Sequence, residues 1–400
     1  MPLPVSYRNT RLQRTALWEM LNVEKHEQLF ERFVDFENLY DGYRMARQDK
    51  RYKSEVLTYS ANLEERLIDL QNSLIWQTYK VDGMHEFYEY YPKKRIITVM
   101  PFGCRVANCA AYNVLWPIYR KSMYEHSYGS IAGKGPIKAC DTLQNWIRLV
   151  SRKPDKWVIC KMDIAKFFFR IPFEVQMKHL TKPIRDDRMK WFLETAIKCD
   201  GRPFGLSLDS SNVEECERVF GIGMQVGSLI SQVTGNVVMS SADHYIKRVL
   251  GAPYYLRYMD DMIFLAPSKE KAQDILFRFE SYLYDNLGLQ LNSKTAIMPL
   301  DAGVEFVGKR VWPDKITLRK STTLHMKRHL RYVMEHYTTG EITLDYALSV
   351  IRSYLGLTQH CDCENFRNKM VEDFKLVRSF AEECPYYEYD PSYYEENPYD

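Results

Sequence analysis

Residues 254–266 read YYLRYMDDMIFLA, two adjacent aspartates set inside an apolar and aromatic run of the kind that forms a buried strand. Burying two carboxylates in a sheet costs several kcal/mol, roughly, for each ion unless cations neutralise them. The stretch is therefore constrained to bend at the acids, placing Asp260 and Asp261 at the tip of a hairpin. A solvated surface turn is the plainer alternative for any such pair. Upstream, WVICKMD at residues 157–163 is a second short apolar run that ends in a carboxylate, Asp163.

Two such strands laid side by side would gather Asp163, Asp260 and Asp261 into an all-oxygen donor set. Mg²⁺ prefers such ligands. Nucleotidyl transfer uses two divalent ions, one activating a hydroxyl nucleophile and the other holding a triphosphate and its leaving group.

The rest of the chain bounds this reading. At 400 residues and 46% hydrophobic it is long enough for two or three packed subdomains. No apolar run approaches the roughly 20 residues that span a bilayer, so no membrane association is expected and a cytoplasmic location is. The nine cysteines are scattered, which suits reduced thiols. His360, Cys361 and Cys363 lack the second ligand pair that a zinc site needs. A formal charge of +3 hides an acidic tail, since residues 382–400 hold seven acids and no Lys or Arg, leaving +10 on the body. A basic body permits polyanion binding without establishing it.

Periodicity predicts helices over Ala16–Val34, Phe36–Arg47 and Ser54–Ile75, paired strands over Glu86–Met100 broken at Pro92, and a helix over Arg105–Lys121. A Gly-rich loop opens SYGSIAGKGPIKACDTL at 127–143 and gives way to helix; it lacks the ending of a Walker A loop. Further on, a helix is expected over Lys269–Leu287, a hairpin over Val304–Trp312, and mostly helix over Leu324–Phe380.

Taken in order, these pieces resemble the polymerase core of reverse transcriptases, in the bacterial branch that holds group II intron, retron and diversity-generating retroelement enzymes. The resemblance covers about residues 40–378. It rests on PKKRIITVMPF and SYGSIAGKG in the fingers, KMDIAKFFF as motif A, VGSLISQVTGN as motif B, YMDD as motif C, LGLQLNSKTAI as motif D and GVEFVGKRV as motif E. It implies an α+β right-hand polymerase fold with fingers, a palm whose antiparallel sheet carries the acids between flanking helices, and a helical thumb. The implied divisions are a helical lead-in and fingers over 1–156, palm over 157–312 with a fingers-like helical segment near 173–200, thumb over 313–380, and an acidic tyrosine-rich tail over 381–400.

Carried over by position, Asp163, Asp260 and Asp261 would be catalytic and metal-binding, with the Ile164 carbonyl assisting two Mg²⁺ ions for which Mn²⁺ can substitute. Lys94 and Arg95 would clamp the triphosphate, although neighbouring basic residues on a hairpin are often a solvated face. Phe168 would exclude a ribose 2′-hydroxyl; its alternative is a core phenylalanine. Gly227, Ser231 and Gln232 would lie under the nascent base pair. Lys294 would protonate the pyrophosphate leaving group, or is a surface lysine. Phe306 and Gly308 would grip the primer, while Arg319, Lys320, Lys327, Arg328 and Arg331 would track the duplex.

The wording of motif B, Val226-Gly227 followed by Ser231-Gln232, is most similar to that of diversity-generating retroelement enzymes. That implies a template RNA, an RNA/DNA duplex, deoxynucleoside triphosphates and a small basic accessory protein as partners. Anti-phage defence and retron-like enzymes working on a dedicated noncoding RNA share much of the core, and an idle RNA-binding scaffold is the reading from another class. In the fingers, Cys104 stands where an acidic residue is usual.

Overall fold

The computed structural model describes residues 26–90, 95–207 and 217–378. The chain divides into two compact units, one ending at Leu300 and the other beginning at Asp301.

The first unit starts with helices Leu29–Val34 and Phe36–Ala46. The Asp35 carboxylate starts the second by accepting the Glu37 N–H at 2.9 Å, which satisfies an otherwise orphaned donor. Gly42 lets this helix lie against Phe102–Arg120, because a Cβ there would meet the Val106 carbonyl oxygen at 2.8 Å. The periodic stretch expected as a single helix over Ser54–Ile75 is two helices, Ser54–Ala61 and Leu63–Ile75. Asn62 leaves the helical region, with φ −124° and ψ 49°, and amphipathic spacing alone does not register such a break. The expected helix from Ala16 lies outside the described residues up to residue 25, and His26–Gln28 are not helical, so the helix begins at Leu29.

Strands β1 (His85–Glu89) and β2 (Arg95–Val99) form an antiparallel hairpin. With helices Phe173–Thr181 and Asp187–Lys198, the early helices enclose an apolar core that includes Phe30, Phe33, Leu67, Val106, Leu115 and Phe192.

The central sheet begins with β3 (Val158–Asp163). A two-residue ribbon, β4 (Gly205–Leu206) with β5 (Arg218–Val219), lies apart from it in sequence and pairing. Strands β6 (Tyr254–Tyr258), β7 (Asp261–Ala266) and β8 (Ala296–Pro299) complete the central sheet in the order β6-β7-β3-β8, all antiparallel. Helices Leu229–His244 and Lys269–Leu287 contribute Val238, Met239, Ile275, Phe279 and Leu283 to the core built on this sheet with Cys160, Met162 and Phe264. The latter helix has the predicted bounds: Ser268 caps its start and Gly288, at φ +65°, ends it.

The second unit carries β9 (Val304–Phe306), β10 (Lys309–Val311) and β11 (Ile316–Leu318) in one antiparallel sheet. Helices Lys320–Thr339, Leu344–Thr358 and Glu364–Asp373 follow, with Leu330, Ile351 and Met370 at their core. No described helix of either unit is long and apolar enough to cross a membrane.

Candidate active site

The YMDD segment is the turn between β6 and β7. Tyr258 and Asp261 are the last paired residues of the hairpin, and Met259 and Asp260 make the bend, Met259 with φ +56°. On the other side of β7, Asp163 sits directly opposite Asp261 in the β3–β7 register. Directly opposed residues in an antiparallel pair point to the same face with Cβ atoms roughly 4.5–5.5 Å apart. Two acids 98 positions apart in sequence are thereby placed side by side, with Asp260 at the adjoining turn.

Crowding shows in their protonation. Burial, reinforced by the Asp163 and Asp260 charges, pushes Asp261 up to about 7 against the pull of Lys161. Asp260 is raised as well, by burial first and by the Asp163 charge second, while Arg95 and Arg257 oppose the shift. Arg95, exposed at the start of β2, is thus near enough for its charge to act at the turn.

Among the described residues, no three His, Cys, Asp or Glu side chains stand as a ready-made metal cluster. The carboxylates turn to neighbouring donors: Asn292 Nδ2 donates to Asp163 Oδ2 at 3.3 Å, and Lys161 Nζ lies 3.6 Å from Asp261 Oδ2. Asp261 Oδ1 is buried with no hydrogen-bond partner. A buried carboxylate oxygen left without a donor is costly, and a hard cation is the partner that its chemistry fits. The donor set matches divalent ions taken by oxygen ligands.

The other expected residues fall as follows. Ile164 is buried and bridges to Leu291 just beyond β3. Phe168 belongs to the short helix Phe167–Arg170; it is partly buried against the palm core, and its carbonyl accepts the Met224 N–H at 2.7 Å. Gly227 has φ +113°, and a Cβ there would meet the Thr98 carbonyl at 2.8 Å. The Thr98 N–H donates to the Val226 carbonyl at 2.8 Å, so the motif B loop is joined to β2. Ser231 is buried on the following helix with Gln232 half-buried beside it. Lys294 is exposed on a turn where its N–H donates to Asn292 Oδ1 at 3.1 Å. Lys94 lies outside the described residues.

A sequence-family profile described as Reverse transcriptase (RNA-dependent DNA polymerase) matches residues 86–313, more than half of the chain. The chain belongs to this reverse transcriptase family. Its helices and antiparallel central sheet are those of a right-hand polymerase fold. Among solved structures it is similar to telomerase from Candida albicans in complex with the TWJ fragment of telomeric RNA, at 14% identity and a TM-score of 0.40. That likeness covers 80% of this chain and 60% of the telomerase chain. None of the curated proteins compared with it matches.

Two contacts of this reverse transcriptase core went unread in the sequence. Lys161 shares strand parity with Asp163 two residues on, a signal that was present in KMD. Asn292 is 129 positions from Asp163, yet its backbone N–H also donates to the Asp163 carbonyl at 2.6 Å. Motif D is tied to motif A by that residue, a pairing no local pattern announces.

Proposed function

We propose that the protein is an active RNA-directed DNA polymerase copying a template RNA into complementary DNA, and that its setting is a diversity-generating retroelement. The observation that carries the polymerase reading is the opposition of Asp163 and Asp261 across β3–β7 beside the Asp260 turn. Asp163, Asp260 and Asp261, with the Ile164 carbonyl, would hold two Mg²⁺ ions, for which Mn²⁺ can substitute. When bound, the ions lower the pKa of the primer hydroxyl and neutralise the triphosphate.

The chain's own groups do the rest. Lys94 and Arg95 hold the incoming triphosphate, and the Gly227 loop, packed closely on β2 at Thr98, lies under the nascent base pair. Phe168 stands against a 2′-hydroxyl, Lys294 delivers a proton to the leaving group, and motif E and the basic face of helix Lys320–Thr339 hold the primer–template duplex. The wording of motif B supports the retroelement setting and a small basic accessory protein as partner.

The test is incorporation of deoxynucleotides by purified protein on primed RNA with Mg²⁺, beside Asp260→Ala. Wild-type synthesis with at least a ~10³-fold loss in the variant is expected, as for removal of a principal charge-stabilising group. Equal activity in both would overturn the assignment, and silence from both across templates and accessory factors would favour a scaffold. Sequencing the RNA that co-purifies with the protein separates a retroelement template from a dedicated defence RNA.

A further inference from the structure

Arg257 is fully buried, as is its partner Asp243 on helix Leu229–His244. Its Nε donates to both Asp243 oxygens, at 2.8 and 3.0 Å, and Nη2 donates to Oδ2 at 2.8 Å. The Tyr255 hydroxyl donates to Asp243 Oδ1 at 2.7 Å. A buried ion pair of this kind is weak evidence of stabilisation, since an apolar pair of similar volume serves as well or better. Where the remaining guanidinium hydrogen bonds go is therefore informative.

Nη1 reaches forward along the strand and donates to the Met259 carbonyl at 3.0 Å, and also to Asn236 Oδ1 at 3.0 Å. Met259 is the left-handed residue immediately before Asp260, a strained backbone state for a non-glycine that is kept only where surroundings enforce it. Asn236 Nδ2 in turn donates to the Gly129 carbonyl at 2.9 Å. Gly129 presses on the same turn, since a Cβ there would meet Met259 N at 2.7 Å and its side chain at 2.6 Å. Residues 126–128 are held to the strand by Arg257 itself, through Arg257 N–H to His126 O at 3.0 Å and Tyr128 N–H to Arg257 O at 2.8 Å. Arg257 thus joins the motif B helix and the YMDD bend through its guanidinium, and the Gly-rich loop through its backbone.

We propose that Arg257, oriented by Asp243, is a positioning residue that fixes the Met259 peptide and so the place of the Asp260 carboxylate. The inference rests on the polymerase reading for its kinetic consequence, but the geometry it concerns is that of a cation-binding carboxylate and is measurable without turnover.

The experiment compares the full chain with Arg257→Lys and Gly129→Ala. Lysine keeps the charge opposite Asp243 but cannot hold it with a fork while reaching Met259 and Asn236. Gly129→Ala leaves the ion pair whole and displaces the turn from the other side. Mn²⁺ binding is read by electron paramagnetic resonance without nucleotide, and kcat and KM for a deoxynucleotide are read on primed RNA. Both variants are expected to bind Mn²⁺ about tenfold more weakly, the scale set by lost outer-shell support. Their kcat should fall about 10²-fold, with KM changed less than about threefold.

Wild-type Mn²⁺ affinity and kcat in a folded Arg257→Lys protein would overturn the proposal. Should that variant not fold, Gly129→Ala decides alone, and unchanged Mn²⁺ affinity there overturns it equally. Absence of incorporation by the wild-type protein would sink the polymerase reading, and the Mn²⁺ comparison would then decide the positioning role by itself.

Discussion

Phe168 stands in the middle of the FFF run that follows Asp163. Its ring centroid lies 5.3 Å from that of Phe167 in an edge-on arrangement, and it packs against the palm core while remaining only partly buried. Truncation should cost about 1–2 kcal/mol, less than for a fully buried ring. The informative measurement is sugar selection: Phe168→Ala is expected to narrow the preference for dGTP over GTP by about tenfold or more in single-nucleotide extension. An unchanged ratio would return Phe168 to the core alone. The acids were legible at this scale because charge inside an apolar run is conspicuous. Arg257 carried the same signal in YYLRY, but Asp243 was not legible as its partner, since nothing in a helical stretch marks which face will meet a strand 14 residues later.

An ion pair ties the β1–β2 hairpin to β5. Arg218 of β5 donates to both Glu86 oxygens, at 2.8 and 2.7 Å, with the arginine side chain 3% exposed. Thr98 Oγ1 also donates to Glu86, at 3.3 Å, across the hairpin. Glu86→Gln would remove the carboxylate charge facing a buried guanidinium, a change of about 3 kcal/mol when one partner of such a pair is lost. Amides of residues 85–99 are therefore expected to exchange with deuterium at least tenfold faster, while those of β3 keep their rate. Uniform exchange rates across the variant and the parent would deny the pair this local role. Element types were largely readable from sequence, because the helix Lys269–Leu287 follows its period and the strand ending at Asp163 is a short apolar run. The break at Asn62 was not, since the apolar spacing continues across it, and the β4–β5 ribbon is too short to have a period.

For the molecule as a whole, one source of acid sensitivity, beside other histidines lowered by burial, is His179, half-buried on helix Phe173–Thr181. Burial first, then the Lys178 and Lys182 charges, hold it down to about 4 from an ordinary 6.5. Between these values the unfolded chain takes up a proton that the folded chain refuses, so stability declines as pH falls from about 6.5 toward 4. Allowing for solvent screening, wild-type protein is expected to lose about 1 kcal/mol more than His179→Gln between pH 7 and 5, read from denaturant midpoints. Parallel losses would remove His179 as the cause. The two-unit division at Leu300 was not legible, because motif E reads as one more hairpin after the palm, and its pairing with β11 emerges only from the register of Lys309–Val311 with Ile316–Leu318.

The ladder between β3 and β7 also limits how this chain can drift in length. Side chains on paired strands change sides at every residue, so one insertion or deletion within 158–163 or 261–266 would send an acid to the wrong side of the sheet and strand it from the other. An inserted or deleted residue, or an engineered tag, is accordingly expected to be tolerated only outside those twelve positions.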